Sequence, residues 1–300
     1  MHQPPSPPAA HTGRYAFAAL IVANLFLALG PWMVRLTDVG PVAAGFWRLA
    51  LAIPLLLLLA RYGGKGPAVR FRLSWAMALM IVIGGFFFAA DLAAWHYGIV
   101  RTKLANATLF GNFASFIFAF YGFVMLRTLP RPAQAGALVL AIAGTAFLLG
   151  NSYELSPKNF AGDLFAILAG VFYFFYLITI DRARQSLAPM PVLALSTIAG
   201  TLPLLIFALA LGEQVMPQDW TPLLLLSLGS QVVGQGLLVY SMGYLSPVVV
   251  GLGLLTQPAV SALVGWLAYD ERLGTTDLVG GLMICAALVL IRLPERGRAA

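Results

Sequence analysis

Charge is what this sequence has least of. Of its 300 residues only 10% are Asp, Glu, Lys or Arg, against roughly a quarter in soluble globular domains. A soluble chain of this length could not cover its surface with so few. Cysteine is nearly absent, with Cys285 alone, and this excludes a disulfide scaffold. No glycine period is present, so collagen is excluded. No basic stretch precedes the first apolar run, so no cleaved signal peptide is expected despite the small residues at Ala28–Leu29–Gly30. No cysteine lies near the start to carry a lipid anchor. The enzyme signatures are missing too: no Walker loop, no Gly-rich strand-to-helix turn, no HExxH and no GxSxG. An enzyme and direct ATP drive are therefore not expected, and neither is a cofactor.

What is present is apolar. Sixty percent of the residues are hydrophobic, including 20 Phe, 10 Tyr and 6 Trp, and the mean hydropathy is +0.88. This is the composition of a polytopic membrane protein. The net charge of +7 is assigned to loops on one membrane face rather than to nucleic-acid binding. A bilayer core about 30 Å thick needs about 20 apolar residues per helix. Ten such segments are expected, near 15–34, 41–60, 73–99, 104–126, 132–149, 161–180, 190–210, 219–242, 247–268 and 275–293. Strand-like alternation with polar lumen residues is not visible, so the bundle is all-α. The proline-rich stretch 1–13 reads as a flexible tail, with one half at 14–150 and the other at 151–300.

The basic residues orient it. With the N-terminus inside, twelve of them fall on the cytoplasmic side, from Arg14 through Arg61, Arg127, Arg131, Arg182 and Arg184 to Arg298, and five fall outside: Arg35, Arg101, Lys103, Lys158 and Arg272. Both termini are then cytoplasmic, and a bacterial inner membrane is the simplest setting. Shifting the chain by 145 positions overlays the second half on the first, with Gly98 on Gly243, Ala114 on Ala259, Arg127 on Arg272 and Gly136 on Gly281. Five spans per half is an odd number, so the halves insert in opposite senses, as an inverted repeat.

Three stretches carry a family resemblance: Phe46–Trp47–Arg48; Tyr240 to Pro247 followed by Gln257–Pro258; and Asp270–Glu271–Arg272–Leu273. With the ten-span pattern they resemble the drug/metabolite transporter (DMT) superfamily in its EamA-type branch, over almost the whole chain from Tyr15 to Leu293. The first half departs from the pattern at Leu126 and Phe113, where the branch has Glu and Pro. The aromatic load is most similar to the YddG-type aromatic amino-acid exporters. The resemblance implies a 5+5 helix fold around a central cavity. It also implies export of aromatic or neutral amino acids or related metabolites by alternating access, with the substrate between spans three, four, six, eight and nine. The alternatives are multidrug or other metabolite efflux within the superfamily, or a passive channel.

Polar groups inside a bilayer tend to face a cavity or the bundle interior, and they supply the candidate site. Arg48 and Asp91 are the intramembrane charges; Asp91 either pairs with Arg48, relays protons, or meets a substrate ammonium. Trp95 shares a helix face with Asp91. His96 lies beside Trp95 on another face, either titrating or packed, and has no metal-ligand partner, so no metal site is expected. Thr108, Asn112 and Ser115 follow one face of span four, and Asn112 coincides with Gln257 under the 145 shift. Pro258 lacks an N–H and frees the carbonyl of Leu254, as a hinge or a ligand acceptor. Tyr173, Tyr176, Gln235, Tyr240 and, a turn before Gln235, Gln231 complete a pocket able to stack on rings or cations. The small residues Ala133, Ala137 and Ala141 allow close helix packing within or between chains. The expected partners are a small-molecule substrate and the lipid bilayer, with a homo-oligomer allowed and a monomer sufficient.

Overall fold

The computed structural model describes residues 10–62, 74–101, 104–126, 130–150, 157–269 and 275–292. Among these all the regular structure is helical. The first half contains α1 (Ala10–Ala28), α2 (Gly30–Arg35), α3 (Pro41–Ala50), α4 (Ile53–Tyr62), α5 (Trp75–Ile99), α6 (Leu104–Gly111), α7 (Phe113–Leu126) and α8 (Pro132–Gly150). The second contains α9 (Pro157–Arg184), α10 (Pro189–Ala210), α11 (Thr221–Leu225), a π-helix (Leu226–Gln235), α12 (Gly236–Met242), α13 (Pro247–Leu254), α14 (Gln257–Tyr269) and α15 (Thr275–Arg292).

Among the described residues, seven helical stretches are long and apolar enough to cross a membrane: Tyr15–Arg35, Pro41–Arg61, Trp75–Ile99, Phe160–Arg184, Pro189–Ala210, Thr221–Met242 and Pro247–Ala268. Shorter apolar helices stand where spans four, five and ten were expected, at Phe113–Met125, Pro132–Gly144 and Leu278–Ala287. Large apolar side chains such as Leu58, Val82, Leu202, Leu267 and Leu282 point outward, each more than half exposed, as lipid-facing residues do. Helix α1 begins at Ala10, so the stretch read as a tail as far as residue 13 already joins the first helix. It starts once the prolines ending at Pro8 are passed.

Several expected spans are not single helices. The first is interrupted at Leu29, two residues before Pro31, whose ring leaves the carbonyl of Leu27 without its helical donor. The second is interrupted at Leu51–Ala52, ahead of Pro54. Spans four and nine break at matching places, Asn112 and Leu255–Thr256. Pro258 follows the second break, but no proline follows the first. There the side-chain amide of Asn112 donates to the Thr108 carbonyl at 2.7 Å, competing with the backbone for its own acceptor. The Thr256 hydroxyl does the same to Gly253 at 2.8 Å.

The packing pairs follow an exchange of halves: α5 lies on α9 as α1 lies on α12 and the π-helix, α8 lies on α15, and α6 and α7 meet α14 and α13. Ala137 and Ala141 are buried with Ala287 in the α8–α15 contact, so the small-residue ladder of span five packs within the chain. A close crossing joins α5 to α10. A Cβ placed on Gly85 would lie 2.7 Å from the Ser196 carbonyl oxygen and 3.0 Å from the Gly200 nitrogen. The variant Gly85→Val therefore forces two backbones apart, at a cost of about 3 kcal/mol or more. It is expected to lose most of its monodisperse material on detergent size-exclusion chromatography. Wild-type yield and melting temperature would contradict this crossing.

The 211–220 connection of the second half is sewn to the first half's α2–α3 turn. Asp38 accepts from the amides of Gln218 (2.6 Å) and Asp219 (3.1 Å). Glu213 accepts from Ala43 N at 2.8 Å, capping α3, where backbone N–H groups lack helical partners. The Trp47 indole donates to the Val215 carbonyl at 2.7 Å and meets Trp220 edge-on. Burial raises the Glu213 carboxyl above its ordinary value, against the opposing bonds from Ala43 and Val42. The amide of Gln218 lowers that of exposed Asp38.

The signs are opposite. Glu213 favours the docked connection most below its undocked value, and loses that contribution as pH rises through its docked value. Asp38 contributes above its undocked value and loses that as pH falls. The variant Glu213→Gln keeps an acceptor without the partly buried charge. At pH 7 its melting temperature is expected to match or exceed that of wild type, with the gap closing towards pH 4. A clearly lower melting temperature at pH 7 would contradict the assignment.

Candidate functional site

A cavity lies between the halves, with about 540 Å³ of space free of protein atoms that includes open solvent. Helix α5, apolar along most of its length, passes beside it and presents one face through Phe88, Asp91, Leu92 and Trp95. Helix α3 supplies Arg48, 2% exposed. The break after α6 supplies Thr108, Gly111, Asn112 and Ser115. Tyr173 comes from α9, Gln235 from the end of the π-helix, Gln257 from the start of α14 and Leu27 from α1. The interruptions in spans one, four, eight and nine thus converge on the cavity. Irregular backbone at membrane depth is tolerated where it lines such a space.

The charges are held apart. The Nε of Arg48 donates to the Gln231 carbonyl oxygen at 3.3 Å, and its guanidinium stands 5.9 Å from the centre of the Phe88 ring. Asp91 feels Arg48 electrostatically, but the direct ion pair offered as one reading of the sequence is not formed. Among the described residues the two Nη groups of Arg48 and the Asp91 carboxylate have no hydrogen-bonding partner. One end of a charge-neutral ligand can therefore meet each.

Aromatic faces form the walls. Phe88 stacks on Tyr176 with centroids 4.4 Å apart, and Tyr176 stacks on Tyr173 at 5.7 Å. The Trp95 indole N–H donates to the Ala107 carbonyl at 3.3 Å, which fixes its ring. The amides complete the lining. Gln257 donates to the side chain of Asn24 at 2.9 Å. Gln235 donates to the Tyr173 hydroxyl at 3.3 Å, while its own Oε1 is buried with no partner. An acceptor left bare in this way is costly unless a ligand or water meets it.

Of the residues singled out from sequence, the cavity gathers Arg48, Asp91, Trp95, Asn112, Tyr173, Gln235 and Gln257. His96, Tyr176, Gln231 and Tyr240 lie outside its lining. His96 is fully buried, its Nδ1 2.8 Å from the Pro41 carbonyl oxygen; it packs α5 onto α3. Tyr176 is fully buried behind Phe88 and Tyr173. Tyr240 pairs with Tyr244 towards the end of α12. Pro258 is the second residue of α14, just past the helix break, where its missing N–H costs nothing. Phe88 was missed, although it stands three residues before Asp91 and seven before Trp95 on the same helical face. Leu27, Leu92 and Gly111 carried no sequence signal.

A bundle of apolar helices in two related halves, with a polar cavity at the level of its helix breaks, is the architecture of a solute transporter. The chain belongs to the EamA-like transporter family, whose pattern it matches twice, over residues 14–150 and 160–293. No curated protein matches it. Among solved structures, 29 chains match. One crystal structure, 15% identical in sequence, superposes with a TM-score of 0.71 over 95% of this chain and 97% of its own. That likeness shows the fold alone.

Proposed function

We propose that the protein exports small zwitterionic solutes, aromatic or neutral amino acids or close metabolites, by alternating access. In this reading ten spans form two inverted five-helix repeats in a bacterial inner membrane, with both termini cytoplasmic. Spans of the two halves rock around the cavity, and transport is secondary-active or facilitative. The twelve-to-five distribution of basic residues supports the orientation. The aromatic walls support a ring-bearing substrate of the kind the YddG-type exporters take.

One observation carries the substrate class. Arg48 and Asp91 border one cavity without contacting each other. A carboxylate fits the guanidinium, an ammonium fits Asp91, and an apolar side chain fits Phe88, Trp95 and Tyr173. The test is counterflow: liposomes holding the protein and unlabelled phenylalanine are expected to take up labelled phenylalanine, saturably. Uptake of tetraphenylphosphonium in place of amino acids would favour multidrug efflux, and flux without saturation would favour a channel.

A further inference from the structure

We propose that Gln231, braced by Thr197, is a positioning residue that aims the Arg48 guanidinium into the cavity, an inference that rests on the zwitterion reading above. Gln231 is fully buried and does not border the cavity. Its amide spans the gap between two helices. Oε1 accepts from Arg48 Nε at 3.3 Å, and Nε2 donates to the Thr197 hydroxyl of α10 at 3.0 Å. The amide has only one sense here, because arginine has no acceptor to offer. Thr197, itself fully buried, is the fixed end of the relay.

The choice of Nε matters. An arginine binds a carboxylate two N–H groups at a time, in a fixed plane. With Nε engaged by Gln231, the face left for a ligand is the one carried by the two Nη groups, and these are the groups without a partner among the described residues. Phe88 limits rotation on one side of the guanidinium. The π-helix, which carries one extra residue per turn and recurs at functional sites, brings Gln231 to Arg48 while leaving Gln235, four residues on, in the cavity wall. Gln231 thus acts on the substrate through Arg48, and only on its carboxylate end.

The test is counterflow of labelled phenylalanine by wild type, Gln231→Met and Thr197→Val, each repeated with 2-phenylethylamine as competitor. The amine has the ring and the ammonium but no carboxylate. Met keeps the length of Gln without the amide. The KM for phenylalanine is expected to rise about tenfold in Gln231→Met, the equivalent of about 1.4 kcal/mol, with kcat within about twofold. Thr197→Val leaves Arg48 and Gln231 in place, so it reports even if the first variant folds poorly, and about a threefold rise is expected of it. Inhibition by 2-phenylethylamine is expected to stay as in wild type. Equal weakening of both ligands would mean that Gln231 only packs the bundle, and would overturn the inference. An unchanged KM in both variants would overturn it as well. If wild type itself shows no phenylalanine counterflow, the zwitterion reading falls first, and the role of Gln231 falls with it.

Discussion

Arg48→Met is expected to lower kcat/KM for a zwitterionic amino acid by about 10- to 100-fold. A charge-assisted hydrogen bond contributes about 1.5–3 kcal/mol, and each 1.4 kcal/mol is tenfold. Here both Nη groups lack other partners among the described residues, and Arg48 is 2% exposed, so water replaces little of what is lost. The substitution also leaves Asp91 without its balancing charge in the cavity. Arg48→Lys is expected to fall between Met and wild type, because it restores the charge but neither the planar fork nor the bond to Gln231. Initial rates of counterflow over a concentration series measure this. A wild-type KM in Arg48→Met would place the carboxylate elsewhere.

Asp91→Asn is expected to produce a change of preference as well as a loss. The cavity would then hold a cation with no anion against it. Amines should lose about tenfold or more, since the carboxylate–ammonium attraction is largest where water is excluded. A substrate analogue without the amino group, 3-phenylpropionate, should bind as well as or better than it does to wild type. Competition against labelled phenylalanine in wild type and variant separates the two effects. A uniform decline for amine and acid together would mean that Asp91 serves the fold rather than the ligand.

The difference between what was legible and what was not has physical causes. Hydropathy located the spans closely: 73–99 was expected and α5 runs Trp75–Ile99, while 219–242 was expected and the eighth runs from Thr221 to Met242. Burial in lipid demands long apolar runs, and these can be seen in a sequence. Breaks within a run cannot, unless a proline marks them. Pro258 announced the one in span nine. The matching one at Asn112 depends on a side chain turning back on its own helix, and Asn residues elsewhere do not announce that choice. The π-helix gave no signal at all.

Within the site, helical spacing puts Asp91 and Trp95 on one face, and both line the cavity, as do Asn112 and Gln257, the pair matched by the 145-residue offset. Neighbourhood in sequence misled where direction mattered. His96 follows Trp95 but points into the α3 contact, and Tyr176 follows Tyr173 by three residues yet backs the ring wall instead of forming it. The role of Gln231 lies in contacts to α3 and α10, and only tertiary structure shows these.

The central claim is that one ligand is held by both poles in one cavity. The most direct measurement is competition for labelled phenylalanine counterflow by three unlabelled ligands of common ring and different ends: phenylalanine, 2-phenylethylamine and 3-phenylpropionate. The account predicts that removing either charged end weakens competition by about tenfold or more, the carboxylate end through Arg48 and the amino end through Asp91. An amine or an acid that competes as well as phenylalanine itself would contradict it.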